Sequence, residues 1–330
     1  MHSSQPLRLG SLELRSRFIL APLESVSDAA FRRLCYQLGA SFTWTEMLRA
    51  NAMARNNKST LALIDTVDPA TPTGVQLFAV NERELEAALN ALDEGARGAH
   101  PHFTHIRAVD LNFGCPSPDV IRVGGGPALL KRPTKLRTMF ETLKAWKART
   151  RLPIGAVGAK IRLGLSAQEQ KDKVYLRAAD AADGTLDYLT VHARHAKQDS
   201  QTPAAWEAIA EVKARLRIPI IGNGDVFSLA AAEKLQLQTG CDGVLIARGA
   251  IRSPWIFREL THAGSGQPTL TELEAAERQY FADAERWQTR PKHLAWHREG
   301  FARIRARLTG QPLRGADTPQ NSHMVASTSS

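Results

Sequence analysis

The sequence predicts an α/β fold, a (β/α)8 TIM barrel followed by a small all-helical C-terminal domain. Three observations carry this. Short apolar, β-branched runs alternate with amphipathic helical segments about eight times before residue 250. Nearly every such run passes into an unusual polar or glycine-containing step, as the catalytic rim of a barrel requires. The alternation then stops, and two helical segments follow with no strand between them.

The strand candidates lie at 17–22, 41–45, 74–78, 106–112, 156–161, 186–192, 218–222 and 243–247. Parallel strands need crossover helices, and segments of helical period fall between most of them. In 28–38, Asp28 can cap, and Phe31, Leu34, Cys35 and Leu38 share one face. Segments 82–95 and 206–216 are similar. The first strand runs into Pro22-Leu23-Glu24, the second ends at Glu46, and the third carries Gln76. The fourth leads into Asn112-Phe113-Gly114-Cys115-Pro116, the fifth ends in Lys160-Ile161-Arg162, and the sixth in His192-Ala193-Arg194. The seventh gives Asn223-Gly224-Asp225 and the eighth Ala247-Arg248-Gly249. The domains read as a barrel over 1–257, a helical domain over 258–315 with helices at 272–287 and 292–308, and a Ser/Thr-rich, disordered tail over 316–330.

Composition narrows the class. No apolar run approaches the roughly 20 residues of a bilayer span, and no signal peptide is visible, so a cytoplasmic protein without membrane contact is expected. Cys35, Cys115 and Cys241 are too scattered for a disulfide framework or a metal site. The 43 Lys and Arg outnumber the 33 Asp and Glu, for a net charge of +10. The excess concentrates in 131–151 and 290–314, which admits a polyanionic partner.

In a barrel the loops after the last two strands form the usual phosphate corner. Asn223-Gly224-Asp225 and Ala247-Arg248 therefore suit a phosphorylated cofactor, and no GxGxxG fingerprint follows the first strand. Gly124-Gly125-Gly126 reads as a structural turn when taken alone. Lys160 is either a barrel salt bridge or a cation for a reduced flavin ring. His192 is either a core histidine or a ligand of cofactor or substrate. Cys115, on a Gly-Cys-Pro turn at the rim, is unlike a core cysteine and is a candidate nucleophile or general acid.

These stretches resemble one family. Residues 18–24 (Phe-Ile-Leu-Ala-Pro-Leu-Glu) with Asp28 and Phe31-Arg32, Thr45-Glu46-Met47, and Val75-Gln76-Leu77-Phe78 are similar to tRNA-dihydrouridine synthase motifs. So are Asp110 to Ser117 with Gly124-Gly125-Gly126 and Ala128-Leu129-Leu130, Lys160 to Gly164, Val191 to Arg194, Asn223 to Asp225, and Ala247 to Ala250. The resemblance spans 15–257 and, more loosely, the helices to Arg314. It implies a monomeric FMN-dependent barrel, without metal, with a helical tRNA-recognition domain. NADPH or NADH would reduce FMN, FMN would give hydride to C6 of a uracil, and Cys115 would protonate C5. It implies FMN contacts from Pro22, Leu23, Glu24, Gln76, Lys160, His192, Asn223, Gly224, Asp225, Ala247 and Arg248. It assigns the uracil or its neighbouring phosphate to Asn112, Arg162 and Arg194. The base must leave its stack to react. Departures fall on the substrate side: Ala193 and His195 replace the commoner Gly and Thr, and 196–205 lacks a Gly-Tyr signature. Leu23 in place of Met is volume-neutral.

Three alternatives share part of this pattern: a dihydroorotate-type flavin barrel acting on a free pyrimidine, a dihydrouridine synthase acting on rRNA, and a non-catalytic RNA-binding barrel. Arg32, Arg33, the strip 131–151 and the tail residues His293, His297, Arg298, Arg303, Arg305 and Arg307 favour an RNA substrate.

Overall fold

A computed structural model describes residues 6–311 of the 330. Two short strands, β1 (Leu7–Leu9) and β2 (Leu12–Leu14), pair antiparallel. Eight parallel strands follow: β3 (Phe18–Leu20), β4 (Thr43–Arg49), β5 (Thr73–Phe78), β6 (Ile106–Phe113), β7 (Ala156–Ile161), β8 (Tyr188–His192), β9 (Ile220–Asn223) and β10 (Gly243–Ile246). Neighbours pair in order from β4 to β10, β10 pairs with β3, and an Ile19–Phe42 bridge with the Leu20 N–H donating to Phe42 O at 3.0 Å closes the ring. All eight expected strands are present. The 316–330 tail and the end of the 258–315 segment lie outside the described residues.

The β1–β2 hairpin was not expected from the sequence. Its alternating leucines join Ile19, Phe42, Trp44, Ala108, Ile221 and Leu245 in one buried cluster. Ser11 N–H donates to Gly155 O at 2.9 Å, just before β7 begins, so the hairpin plugs the N-terminal end of the barrel. Above the plug, large rings lie over glycines. A Cβ on Gly158 would sit 2.2 Å from the Tyr188 ring, and one on Gly74 would sit 2.2 Å from Trp44. The polar rim therefore stands on a filled, largely apolar floor.

β4 does not end at Glu46. It runs on to Arg49, with its register shifted between Trp44 and Met47. Such an irregularity re-aims a side chain. Here Glu46 is 4% exposed and meets the C-terminal helices.

Those helices, Leu270–Arg286 and Pro291–Thr309, close against the barrel through buried polar contacts. Glu46 accepts from Ser25 N–H at 2.7 Å and Arg290 at 2.8 Å, and pairs with His293 Nε2 at 2.9 Å. His297 Nε2 lies 2.8 Å from Val26 O and 3.2 Å from Asp28 Oδ2. Tyr280 donates to the same Asp28 oxygen at 2.9 Å, while Asp28 also caps the helix Ala29–Gln37 through Phe31 N–H. Burial pushes the Asp28 carboxyl up, but His297, Phe31 N–H and Tyr280 together outweigh it and hold the group below its ordinary value. Phe31 and Tyr280 meet the His297 ring at tilted angles beside this carboxylate, and Phe301 packs against Tyr280. Tyr280→Phe deletes one hydrogen bond to a buried charge and is expected to cost about 1.5–3 kcal/mol. A lower urea midpoint at unchanged slope is the measurement that checks it.

These contacts correct the expected RNA surface. His293 and His297 are buried, not displayed. Arg32 is 3% exposed and donates to the Ser27 and Thr66 carbonyls, and Arg33 pairs with Asp68 and Asp283. In the strip 131–151, Lys131 pairs with Glu169, Arg137 with Glu141 and Lys147 with Asp187, while Lys144 and Arg149 bond Gly184 O and Asn90. Most of that cationic charge is already neutralised or tied within the chain. In the tail, Arg303 pairs with Glu299, Arg305 with Glu277, and Arg307 bonds Arg252 O. Arg298 lies over the Phe281 ring.

Candidate active site

The alternation of side chains along a strand decides what faces the barrel axis. Asp110 and Asn112 on β6, Gly158 and Lys160 on β7, and Tyr188, Thr190 and His192 on β8 share the inward face. Register places Gln76 beside Asp110, Asn112 beside Lys160, Lys160 beside Thr190, and His192 beside Asn223. The predicted residues Gln76, Asn112, Lys160, His192 and Asn223 thus gather at one end of the barrel.

A continuous hydrogen-bond chain supports Cys115. Tyr188 OH donates to Asp110 Oδ1 at 2.9 Å, and Gln76 Nε2 donates to Asp110 Oδ2 at 2.7 Å. Asn112 Nδ2 donates to Gln76 Oε1 at 2.7 Å. Asn112 Oδ1 accepts from the N–H groups of Gly114 and Cys115, at 3.0 and 2.9 Å. The carboxylate can only accept, so it fixes which way both amides face. Burial pushes Asp110 up to about 6, against the lowering by Gln76, Tyr188 and Lys160. Sequence reading gave Asp110 and Tyr188 no role. The available signal was a carboxylate set inside the buried run Ala108-Val109-Asp110-Leu111.

The glycine run packs beneath the same loop. Gly126 has φ +57°, and a Cβ there would press on Val120 and on Cys115 O at 3.0 Å. Arg162 crosses above it, its Nε donating to Gly114 O at 2.7 Å and its Nη1 to His195 O at 3.2 Å. Cys115 is half-buried. Burial raises its thiol pKa, Ser117 N–H lowers it, and Glu24 raises it further, ahead of the opposing pull of Arg162 and Lys160. The net direction is upward, so the sulfur holds its proton at neutral pH. That suits a proton donor more than a nucleophile.

Lys160 makes no hydrogen bond or ion pair with any of the described residues. Burial and then Arg162 lower its pKa to about 8, while Asp110 and Cys115 pull it back up. His192 likewise has no side-chain hydrogen bond among the described residues. Burial, with Arg162, Lys160, Arg194 and Arg248, holds it well below its ordinary value and therefore neutral. A barrel salt bridge is thus not the role of Lys160. An ammonium without a partner beside a neutral imidazole and three guanidinium groups fits an anionic, hydrogen-bonding ligand.

The loops after β9 and β10 are arranged around Asp225, which holds φ +58°. Its carboxylate accepts from Arg194 Nη2 and Arg248 Nη2, each at 2.6 Å, and from Ala204 N–H at 2.8 Å. Arg194 is 2% exposed and also donates to the carbonyls of Ser200 and Thr202. It ties the 196–205 loop to the rim, where sequence reading had it holding substrate. Arg248 shares the Ser200 carbonyl at 3.0 Å. Asn223 Nδ2 is used on Leu245 O at 2.7 Å, and Trp206 Nε1 donates to Gly224 O at 3.0 Å. Pro22 and Leu23 are half-buried, Glu24 is exposed, and Ala247 stands just before the helix Arg248–Arg252. Among the described residues no cluster of His, Cys, Asp and Glu could hold a metal ion, and no helix is long and apolar enough to cross a membrane.

Fold and site together define a parallel (β/α)8 barrel with a polar, cation-rich rim at the ends of its strands. The chain belongs to the dihydrouridine synthase (Dus) family, whose profile matches residues 19–302. It is 33% identical over 318 residues to a probable tRNA-dihydrouridine synthase of Mycobacterium tuberculosis, covering 90% of this chain and 78% of that one. It is 36% identical over 247 residues to one of Aquifex aeolicus, covering 74% and 72%. It is 29% identical over 311 residues to tRNA-dihydrouridine synthase B of Escherichia coli, covering 90% and 91%. Among solved structures, morphinone reductase in complex with tetrahydroNAD superposes with a TM-score of 0.55 at 14% identity, covering 80% of this chain and 92% of that one. An old yellow enzyme homologue from Zymomonas mobilis gives 0.53 at 12% identity, covering 80% and 94%. At such identities the likeness shows the fold alone.

Proposed function

We propose that this protein reduces the C5–C6 double bond of uridine in tRNA, with FMN as its bound cofactor and NADPH as the electron donor, in the cytoplasm. The observation that carries this reading is Lys160, without a hydrogen bond or ion pair among the described residues, at the same rim as the half-buried Cys115, in a chain of the dihydrouridine synthase family. When bound, reduced FMN supplies hydride for C6 of the uracil.

This chain's own residues do the rest. Lys160 and His192 would hold the flavin ring, and the ammonium would favour negative charge on its reduced form. Pro22, Leu23, Glu24 and Gln76 would complete that part of the site. Asn223, Gly224, Asp225, Ala247 and Arg248 would hold the phosphate. Asn112 and Arg162 hold the extruded uracil, and Arg194 acts from behind through the 196–205 loop. Cys115 delivers its proton to C5 and ends as a thiolate, which the neighbouring cations stabilise until solvent reprotonates it.

The purified protein is expected to be yellow, to release FMN on denaturation, and to convert uridine to dihydrouridine in tRNA lacking that modification when NADPH is supplied. A protein that stays colourless after incubation with FMN, or a flavoprotein that reduces free uracil or orotate but no tRNA, would overturn the reading.

A further inference from the structure

The loop that leads from β3 into the helix Ala29–Gln37 carries Pro22, Leu23 and Glu24. Its first part is anchored on the strands, with Ala21 N–H donating to Ile246 O at 2.9 Å. Its second part is tied to the C-terminal helices. Ser25 N–H donates to Glu46 Oε2 at 2.7 Å, and the other oxygen of Glu46 meets Arg290 at 2.8 Å and His293 at 2.9 Å. Val26 O lies 2.8 Å from His297 Nε2, and the Asp28 carboxylate accepts from Tyr280 OH at 2.9 Å. Three of the four residues after Glu24 thus reach those helices, directly or through one carboxylate.

Ser25 is the strained point of the loop. It holds φ +61°, in the left-handed region, where a residue with a Cβ rests at a cost. A hydrogen bond to a buried carboxylate offsets that cost. Burial pushes the Glu46 carboxyl up, but His293, Ser25 N–H and Arg290 together outweigh it and hold the group below its ordinary value, so it stays charged. Both oxygens of a carboxylate only accept. Glu46 can therefore span two elements at once, with one oxygen on the rim loop and the other on the start of the last helix.

We propose that Glu46 is a positioning residue of the cofactor site: the C-terminal helices hold Glu46, and Glu46 holds Pro22, Leu23 and Glu24 in place through Ser25. The proposal rests on the reading above that these three residues meet FMN. It gives the C-terminal helices a part in flavin binding, separate from any contact they make with RNA.

The test uses the full-length protein titrated with FMN in the absence of RNA, well below the unfolding temperature of each variant. Glu46→Gln keeps the volume, but its amide has only one accepting oxygen. With that oxygen on Arg290 and His293, the NH2 faces Ser25 N–H, donor against donor. FMN is expected to bind about 10- to 100-fold more weakly, and the flavin absorption bands should shift. Arg290 is half-exposed and meets Glu46 from the far side, so Arg290→Met should weaken FMN in the same direction by a smaller factor. Adding Ser25→Gly to Glu46→Gln should restore part of the affinity, because glycine takes a positive φ without help from a hydrogen bond. A role in stability alone would lower Tm and leave the FMN dissociation constant and the flavin bands where they are. Wild-type affinity and bands in either single variant, or no gain from Ser25→Gly in a Glu46→Gln protein that binds FMN weakly, would overturn the proposal. Should Glu46→Gln fail to fold, Arg290→Met alone decides in the same terms. Failure of the wild-type protein to bind FMN would instead bring down the underlying reading, and this proposal with it.

Discussion

Replacing Cys115 by Ala is expected to slow uridine reduction by roughly 10²- to 10⁴-fold, the usual share of a general acid. Flavin content and flavin reduction by NADPH should stay near wild type. Cys115 joins the Asp110 chain through its backbone N–H, and Ala keeps that N–H on Asn112. The decisive measurement is anaerobic: prereduced enzyme is mixed with unmodified tRNA and flavin reoxidation is followed. Because the Cys115 pKa is shifted upward, ionisation of the thiol should not limit the wild-type rate at neutral pH. Full-speed reoxidation in the Ala variant would remove Cys115 from the acid role.

Asp110→Asn is the second substitution with a large expected effect. An amide at position 110 can donate as well as accept. If its nitrogen faces Gln76, both downstream amides reverse, and the Asn112 NH2 is turned toward the N–H groups of Gly114 and Cys115. Losing that charge-assisted order is worth about 1.5–3 kcal/mol, or roughly 10- to 100-fold in the uridine step. A second change, Gln76→Glu, restores the order. The new amide nitrogen at position 110 then donates to the new carboxylate at 76, which accepts from Asn112 as Gln76 does now. Partial recovery in the Asp110→Asn/Gln76→Glu double variant is expected, and a purely structural role for Asp110 gives no such rescue. Flavin content, measured alongside, shows that the cofactor site survives. If flavin is retained and the double variant is no faster than Asp110→Asn, the chain does not orient the Cys115 loop.

Stability should move the opposite way. The carboxyl is raised to about 6 in the fold from an ordinary 3.8 in the unfolded chain. The folded protein therefore binds this proton more tightly, and the stability that comes with it is full below about 3.8 and lost as pH rises through about 6. At pH 7.5 Asp110→Asn relieves a buried charge, so its Tm is expected to equal or exceed wild type. The gap should narrow as pH falls through 6, while the acid limb of uridine reduction near that pH disappears in the variant. A stabilised but slower enzyme marks a residue kept for function.

The strands and rim motifs were legible because each is local. A β-branched run and the polar step after it lie within ten residues, and barrel closure follows from the count. What escaped notice depends on register between distant segments. Tyr188 meets Asp110 across 78 positions of sequence, and no local pattern of β8 announces it. Charge totals misled for a similar reason, since a sum cannot separate Lys131 on Glu169 from Lys292, which has no ion pair among the described residues. The burial of His293 and His297 was readable in principle. With Phe301 and Ile304 they fall at helical spacing on one buried face of the last helix. The hairpin was also readable, as Leu7, Leu9, Leu12 and Leu14 around a Gly-Ser turn, but it stands outside the βα repeat.

The carboxylate of Asp28 also sets a schedule for biosynthesis. Its partners Tyr280 and His297 follow it by 252 and 269 residues in the chain. At ribosomal speeds of about 5–20 residues per second, that is a wait on the order of 10–50 s. Until then Phe31 and Asp28 lack the aromatic cover that later encloses them. The first βα unit therefore emerges early and is completed late. A transcript that stalls after β10 would leave a full set of barrel strands with an open apolar seam, the kind of surface that chaperones and proteases recognise.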